Sequence, residues 1–139
     1  MIQDMQTFQN LYKVFLMECH SYMKYKIYAE QARKNGYIKI GEIINEISEH
    51  EYDHAKLWFK LLHNDNISGM QDILTDMIHN EDYEWRVMYN ELSYVARKEN
   101  LDDIAEIFED IMEIELKHNE ILQKILYRLE EIEEYDNIT

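Results

Sequence analysis

The chain contains no proline and only three glycines in 139 residues. Proline interrupts helices and sheets, and glycine is the residue that tight turns most often require. A chain so poor in both has few turns and runs in long uninterrupted segments. Glu, Lys, Leu and Ile are abundant while Val is scarce, a balance that favours helix over strand. The sequence therefore predicts an all-α fold of long helices.

Four segments carry apolar residues at alternating steps of three and four, the spacing of an amphipathic helix. Turn-forming residues separate these segments: Asn35-Gly36, then Asn64-Asp65-Asn66 with Ser68-Gly69, and finally Asn100. Residues 1–139 are predicted to form a single domain. Its four helices are expected at about 4–34, 37–63, 71–99 and 101–134.

The second half of the chain resembles the first. Residues 32–34 recur as residues 96–98, a shift of 64 positions. The same shift relates Glu51 to Glu115, His54 to His118, and Tyr25 to Tyr89. Glu18 and Glu81 differ by 63 and are one residue out of phase, so the first and third helices correspond less strictly. The repeat predicts two related helical hairpins that pair about a pseudo-twofold axis.

Charged residues interrupt the apolar stripes near the middle of each helix. Seven ionisable residues occupy stripe positions: Glu18, Glu51, His54, Glu81, Glu84, Glu115 and His118. Burying one uncompensated carboxylate costs several kcal/mol, so five would outweigh a domain's usual stability of roughly 5–15 kcal/mol. Two divalent cations would nearly balance the five negative charges. The sequence therefore predicts a two-metal centre.

The spacing and the chemistry of these residues narrow the choice of metal. Glu-x-x-His places a carboxylate and an imidazole one turn apart on the same helix face. Two such motifs, with glutamates from the other two helices, form the ligand set of di-iron and di-manganese bundles. Carboxylates with a few imidazoles suit iron best, with manganese or a mixed pair as the alternative.

Charge and cysteine content exclude several other classes of protein. The formal net charge of -15 disfavours binding to nucleic acid or to an anionic membrane, since both need basic patches. No apolar stretch approaches the roughly 20 residues of a membrane span. The single cysteine, Cys19, permits neither an intramolecular disulfide nor a Cys-based metal site. We see no signal peptide and expect a cytoplasmic protein.

Over about residues 8–130 the sequence resembles the rubrerythrin family. The resemblance rests on Glu18 with Tyr25 seven residues later, Asn35-Gly36-Tyr37, Glu51-x-x-His54-Ala55-Lys56, Glu81-Asp82-Tyr83-Glu84-Trp85 with Met88-Tyr89, and Glu115-x-x-His118. It implies a ferritin-like four-helix bundle that binds two irons. By this resemblance Glu51 and Glu115 would bridge the two irons, Glu18 would bind one of them, and His118 would bind the other.

The resemblance also implies roles for the remaining site residues. Glu81 and Glu84 would supply the ligands of the third helix. His54 looks like the family residue that exchanges with a glutamate, here Glu84, when the irons change oxidation state. Tyr25 and Tyr89 match catalytic-site tyrosines that brace ligand glutamates.

Hydrogen peroxide is the substrate that the resemblance implies, and its two-electron reduction matches two ferrous ions. Rubrerythrins usually carry a rubredoxin domain with two Cys-x-x-Cys motifs, which this sequence lacks. Electrons would therefore come from a separate rubredoxin-like protein. The alternatives are a ferroxidase or iron-handling protein, and a structural bundle without metal turnover.

The connection between the second and third helices is short. In a ferritin-like bundle these helices run in the same direction, so the connection must climb about 28 Å. Residues 64–71, fully extended, reach at most about 27 Å. This shortfall predicts a swapped homodimer in which helices 1 and 2 of one chain complete a bundle with helices 3 and 4 of the other. A plain up-down-up-down bundle, which needs no crossover, is the alternative.

Overall fold

The computed structural model describes residues 4–66 and 69–132. Within them the chain forms helices α1 to α5 and one π-helical turn, Glu84–Met88, between α3 and α4. The helices span α1 Gln6–Lys34, α2 Ile38–Leu62, α3 Met70–Tyr83, α4 Tyr89–Lys98 and α5 Asp102–Tyr127. These residues contain no strand, and the prediction of an all-α, ferritin-like fold is confirmed. The prediction that residues 1–139 form one domain stays a prediction.

The observed boundaries follow the predicted ones closely, with one difference. The helix expected at about 71–99 consists of α3, the π-helical turn and α4, so its backbone changes hydrogen-bond pattern halfway along. Ser68, in the predicted second turn, and residues 133–134, at the predicted end of the last helix, lie outside the described residues. Among the described residues no helix has both the length and the apolar character needed to cross a membrane.

Two of the turns end the preceding helix in the same way. Gly36 has a φ of 86°, its N–H donates to Arg33, and the N–H of Tyr37 donates to Ala32. Asn100 has a φ of 60°, and the N–H of Leu101 donates to Ala96. These are Schellman motifs, in which a residue with positive φ turns the chain and satisfies the last helical carbonyls. Gly and Asn tolerate that conformation best, which is why they mark the turns in the sequence.

The chain divides into two compact units, whose described residues are 4–66 and 69–132. In the first, α1 packs along α2. Small residues line the contact: Ala29 and Ser48 are fully buried, and Gly41 lies so close to α1 that an added Cβ would be 3.0 Å from the Ala29 carbonyl oxygen. Farther from the turn the rings of Phe15 and Phe59 pack with centroids 5.4 Å apart. We call this unit the first hairpin.

In the second unit α3, the π-helical turn and α4 pack against α5, and we call it the second hairpin. Near its turn the Arg97 guanidinium donates to both carboxylate oxygens of Glu109, at 2.9 and 2.8 Å. The Ser93 hydroxyl also donates to Glu109, at 2.6 Å. Charge-assisted pairing of this two-pronged kind fixes geometry as well as energy, so it holds α4 at a defined position on α5.

Each hairpin, taken by itself, leaves large apolar side chains uncovered. Ile40 and Ile47 in the first hairpin are exposed, as are Met77 and Ile104 in the second. All four occupy stripe positions that the sequence predicts to be core. A two-helix layer can bury only one side of each helix, so it needs a further layer to complete a core.

Candidate metal centre

The first hairpin brings together Glu18 from α1 with Glu51 and His54 from α2. The His54 Nδ1 atom lies 3.7 Å from Glu18 Oε2 and 4.0 Å from Glu51 Oε1. The two carboxylates are only 23 % and 21 % exposed. Glu51 and His54 share one face of α2 because they are three residues apart. One ligand atom from each residue lies within 4.8 Å of the others, which is a separation that a single metal ion can bridge.

The second hairpin repeats this arrangement with Glu81 from α3 and with Glu115 and His118 from α5. The His118 Nδ1 atom lies 3.5 Å from Glu81 Oε2 and 3.5 Å from Glu115 Oε2. The carboxylates are 16 % and 15 % exposed. The ligand atoms again fall within 4.8 Å of one another. Six of the seven predicted ligands are thus grouped as two matching sets of Glu, Glu and His.

Within each group, the carboxylates repel one another. Closeness to Glu51, with which a carboxyl proton would be shared, raises the pKa of Glu18, and burial raises it further. The pKa of Glu115 is raised in the same way, first by Glu81 and then by burial. Burial, followed by closeness to Glu115, raises the pKa of Glu84. Each group therefore favours a positive charge at its centre.

Two buried oxygen atoms show that a cation fits these groups. Glu18 Oε2 and Glu81 Oε2 are both inaccessible to solvent and have no hydrogen-bond donor in the described part of the chain. A buried carboxylate oxygen without a partner is costly. Each one faces a histidine nitrogen at 3.7 or 3.5 Å, which is beyond the usual N–H···O range of about 2.7–3.2 Å. Oxygen and nitrogen donors of this kind suit a divalent transition metal such as iron or manganese.

The π-helical turn accounts for the one-residue phase slip in the repeat. The N–H of Tyr89 donates to the carbonyl of Glu84, five residues back rather than four. A turn of this type accommodates one extra residue in a helix, and such turns are frequent at functional sites. It lies between Glu81, which is 63 residues from Glu18, and Tyr89, which is 64 residues from Tyr25. The change of the repeat shift between 63 and 64 is the trace of this turn in the sequence. The spacing of apolar residues alone does not predict a π-helical turn.

The extra residue gives the second hairpin an additional carboxylate. Glu84 begins the π-helical turn. Its carboxylate lies so close to Glu115 that Glu115 raises the pKa of Glu84. The Asn80 amide donates to Glu84 Oε1 at 3.4 Å. The shift of 63 that relates Glu81 to Glu18 places Ser21 opposite Glu84, so the first hairpin has no carboxylate at that position. Six of the seven predicted ligands therefore belong to the two groups, and the seventh, Glu84, contacts the second group through Glu115.

The two tyrosines predicted to brace ligands are placed differently. The ring of Tyr89 packs against Phe108 at 6.1 Å, and the Lys24 Nζ atom lies 5.8 Å from the ring centroid of Tyr25. Within its own hairpin neither hydroxyl has a hydrogen bond to a described glutamate. The bracing role of Tyr25 and Tyr89 stays a prediction.

Known proteins are similar to this chain over most of its length. The sequence model of the rubrerythrin family matches residues 9–126. The chain belongs to the rubrerythrin family. A protein named rubrerythrin from Clostridium perfringens is 29 % identical over 94 % of this chain and 74 % of its own length. Rubrerythrin from Nitratidesulfovibrio vulgaris is 27 % identical over 84 % of this chain and 67 % of its own length.

A putative rubrerythrin from Methanocaldococcus jannaschii is 29 % identical over 91 % of this chain and 72 % of its own length. The family match confirms the resemblance read from the motifs. With the two Glu-Glu-His groups, membership of the rubrerythrin family supports an iron-binding protein of the oxidoreductase type.

Proposed function

We propose that the chain is a non-haem di-iron oxidoreductase that reduces hydrogen peroxide to water with electrons from a separate donor. The observation that supports this most is the pair of matching groups, each with a buried carboxylate oxygen that has no partner among the described residues. Two bound ferrous ions would supply the two electrons that one molecule of peroxide needs. Two protons then complete two molecules of water.

The residues of the chain would hold and tune these ions. Glu51 and Glu115, which contact both other members of their groups, would each be shared between the two ions. Glu18 and His118 would each bind one ion, and the remaining ligands would be His54, Glu81 and Glu84. Glu84 is held by Asn80 at 3.4 Å, a long hydrogen bond that would be easily broken if this carboxylate moved.

We further propose that a complete centre needs a hairpin from each of two chains. The first hairpin carries three of the seven proposed ligands and the second carries four, and each leaves apolar stripe residues uncovered. From Leu62, the end of α2, to Met70, the start of α3, an extended chain spans at most about 27 Å. A parallel crossover past the centre must climb about 28 Å. A swapped homodimer removes this conflict.

The proposed reaction is tested by loading the metal-free protein with ferrous iron anaerobically and counting the bound metal. Rapid mixing with one equivalent of peroxide, or of dioxygen, then gives the rate of iron oxidation by each. We expect two irons per chain and a much faster reaction with peroxide. Glu115→Gln should lose bound iron, whereas Glu113→Gln, at an exposed position of the same helix, should retain it.

Other outcomes point elsewhere. Fast oxidation by dioxygen with little preference for peroxide would favour a ferroxidase or iron-handling protein. Failure to retain two metals would refute the di-iron proposal itself. If peroxide is the substrate, turnover should resume on addition of a reduced rubredoxin-like protein, and without that donor the irons should stay oxidised after one turnover.

A further inference from the structure

Asn119 is a buried polar residue next to the second group of ligands. It is 4 % exposed and directly follows His118 on α5. Its amide nitrogen donates to the backbone carbonyl of Ile78 on α3, at 3.1 Å. Its amide oxygen accepts a hydrogen bond from Gln123, at 2.5 Å. The side chain therefore links two helices and is itself held in one orientation.

The position of this link matters for the ligands. Ile78 lies one helical turn before Glu81, and Asn119 lies one turn after Glu115. The hydrogen bond thus joins α3 and α5 immediately beside the three residues whose atoms surround the second metal position. A hydrogen bond is directional and fixes the spacing of the backbones that it joins more narrowly than apolar contact does.

The described part of the first hairpin has no such link at the equivalent position. The repeat shift of 64 places Ala55 where Asn119 stands, and Phe59 where Gln123 stands. Ala55 is buried and offers no hydrogen-bonding side chain. At this level α1 and α2 are held by the packing of Phe15 against Phe59, which is apolar and less directional. The two groups of ligands are alike in composition but are supported differently.

We propose that Asn119 is a positioning residue that holds Glu81 in place against Glu115 and His118, so that the metal position beside His118 fills before the one beside His54. This inference rests on the proposed two-metal centre. A ligand set already in its binding geometry loses less freedom when the ion arrives.

The order of filling can be measured with zinc, which is redox-inactive. The metal-free chain, labelled with ¹⁵N at its six histidines, is titrated with one zinc ion per chain and followed by NMR. The signals are assigned with His54→Gln and His118→Gln. Residues that hold a metal ligand in place typically change the metal affinity by about tenfold or more. A tenfold preference puts about three quarters of the first equivalent beside His118 and about one quarter beside His54.

Asn119→Leu keeps the volume of the side chain and removes both hydrogen bonds. We expect His54 and His118 to shift in parallel in this variant, while Asn90→Leu, at an exposed position of α4, keeps the wild-type order. If circular dichroism shows that Asn119→Leu is not helical, Asn119→Ala, which copies Ala55, is used instead. Loss of thermal stability without loss of the order would show a merely structural role.

Parallel filling in the wild-type protein, or filling beside His54 first, would overturn the inference while leaving the two-metal centre intact. Retention of the wild-type order by the Leu variant would overturn it as well. If neither histidine shifts at two zinc ions per chain, the metal centre itself is refuted and this inference falls with it.

Discussion

Mixing two inactive variants tests whether each metal centre draws on two chains. Glu51→Gln damages the ligands of the first hairpin only, and Glu115→Gln damages those of the second only. In a swapped dimer of the two variants, one centre receives both damaged hairpins and the other receives both intact ones. In an unswapped dimer every centre contains one damaged hairpin.

The swapped arrangement predicts a definite fraction of intact metal centres in the mixture. Equal amounts of the two variants, unfolded in urea without metal and refolded together, give mixed dimers in about half of the population by random pairing. Each mixed dimer has one intact centre of two, so about a quarter of all centres should be intact. The assay is tightly bound iron per chain after anaerobic loading, followed by the rate of peroxide consumption. Each variant refolded alone gives the background.

A matched control uses two variants of the same hairpin. A mixture of Glu18→Gln and Glu51→Gln cannot produce an intact first hairpin in any dimer, so it should recover nothing. Native mass spectrometry shows whether mixed dimers have formed. If they have, and the Glu51→Gln with Glu115→Gln mixture stays at the background, the swapped arrangement is refuted. A metal-loaded monomer seen by light scattering at micromolar protein would refute it as well.

Three further predictions concern stability. Gly41→Ala should lower the free energy of unfolding, measured by urea denaturation, by about 1–3 kcal/mol, since the added Cβ would lie 3.0 Å from a backbone carbonyl oxygen. Gly69→Ala is the control, because its added Cβ would meet nothing within 4 Å. Equal losses in the two variants would disprove this explanation. Arg97 and then Ser93 lower the pKa of Glu109 to about 2, so the stabilisation by the Glu109 carboxylate is present above pH 4.5 and is lost as pH falls towards 2. The unfolding curves of the wild type and Glu109→Gln should therefore converge near pH 2. A difference that stays constant with pH would contradict this explanation. Glu51→Leu should raise the melting temperature of the metal-free protein, because the Glu51 carboxylate raises the pKa of the partly buried Glu18. The same change should abolish the stabilisation by added iron, and stabilisation by iron that persists would count against the ligand assignment.

The fold class could be predicted because few residues in the sequence oppose helix formation. The positions of Gly36 and Asn100 mark the turns, and the structure shows why, since both adopt positive φ in Schellman motifs. Residue burial could be predicted less well. Ile40 and Met77 lie on apolar stripes but are exposed in the described chain, because a stripe shows that a helix face needs covering without showing which surface covers it.

The ligand residues could be predicted from their position on the stripes, but their support could not. Asn119 contacts Ile78 across two helices, and no periodicity pairs a side-chain amide with a distant backbone carbonyl. Its position one residue beyond an apolar stripe resembles that of many surface polar residues. The repeat relates Asn119 to Ala55, but that Ala55 is buried is known only from the structure.

The π-helical turn was visible in the sequence as a discrepancy between two shifts. A shift of 63 for Glu81 and 64 for Tyr89 requires one added residue between them, and a helix can absorb it without breaking only by widening one turn. That widening lies where Glu84 joins the second group of ligands. The two hairpins are therefore equivalent in the ligands that they share, and the added residue gives the second hairpin a carboxylate that the first lacks. Two metal positions built from such hairpins have no physical reason to bind their ions equally.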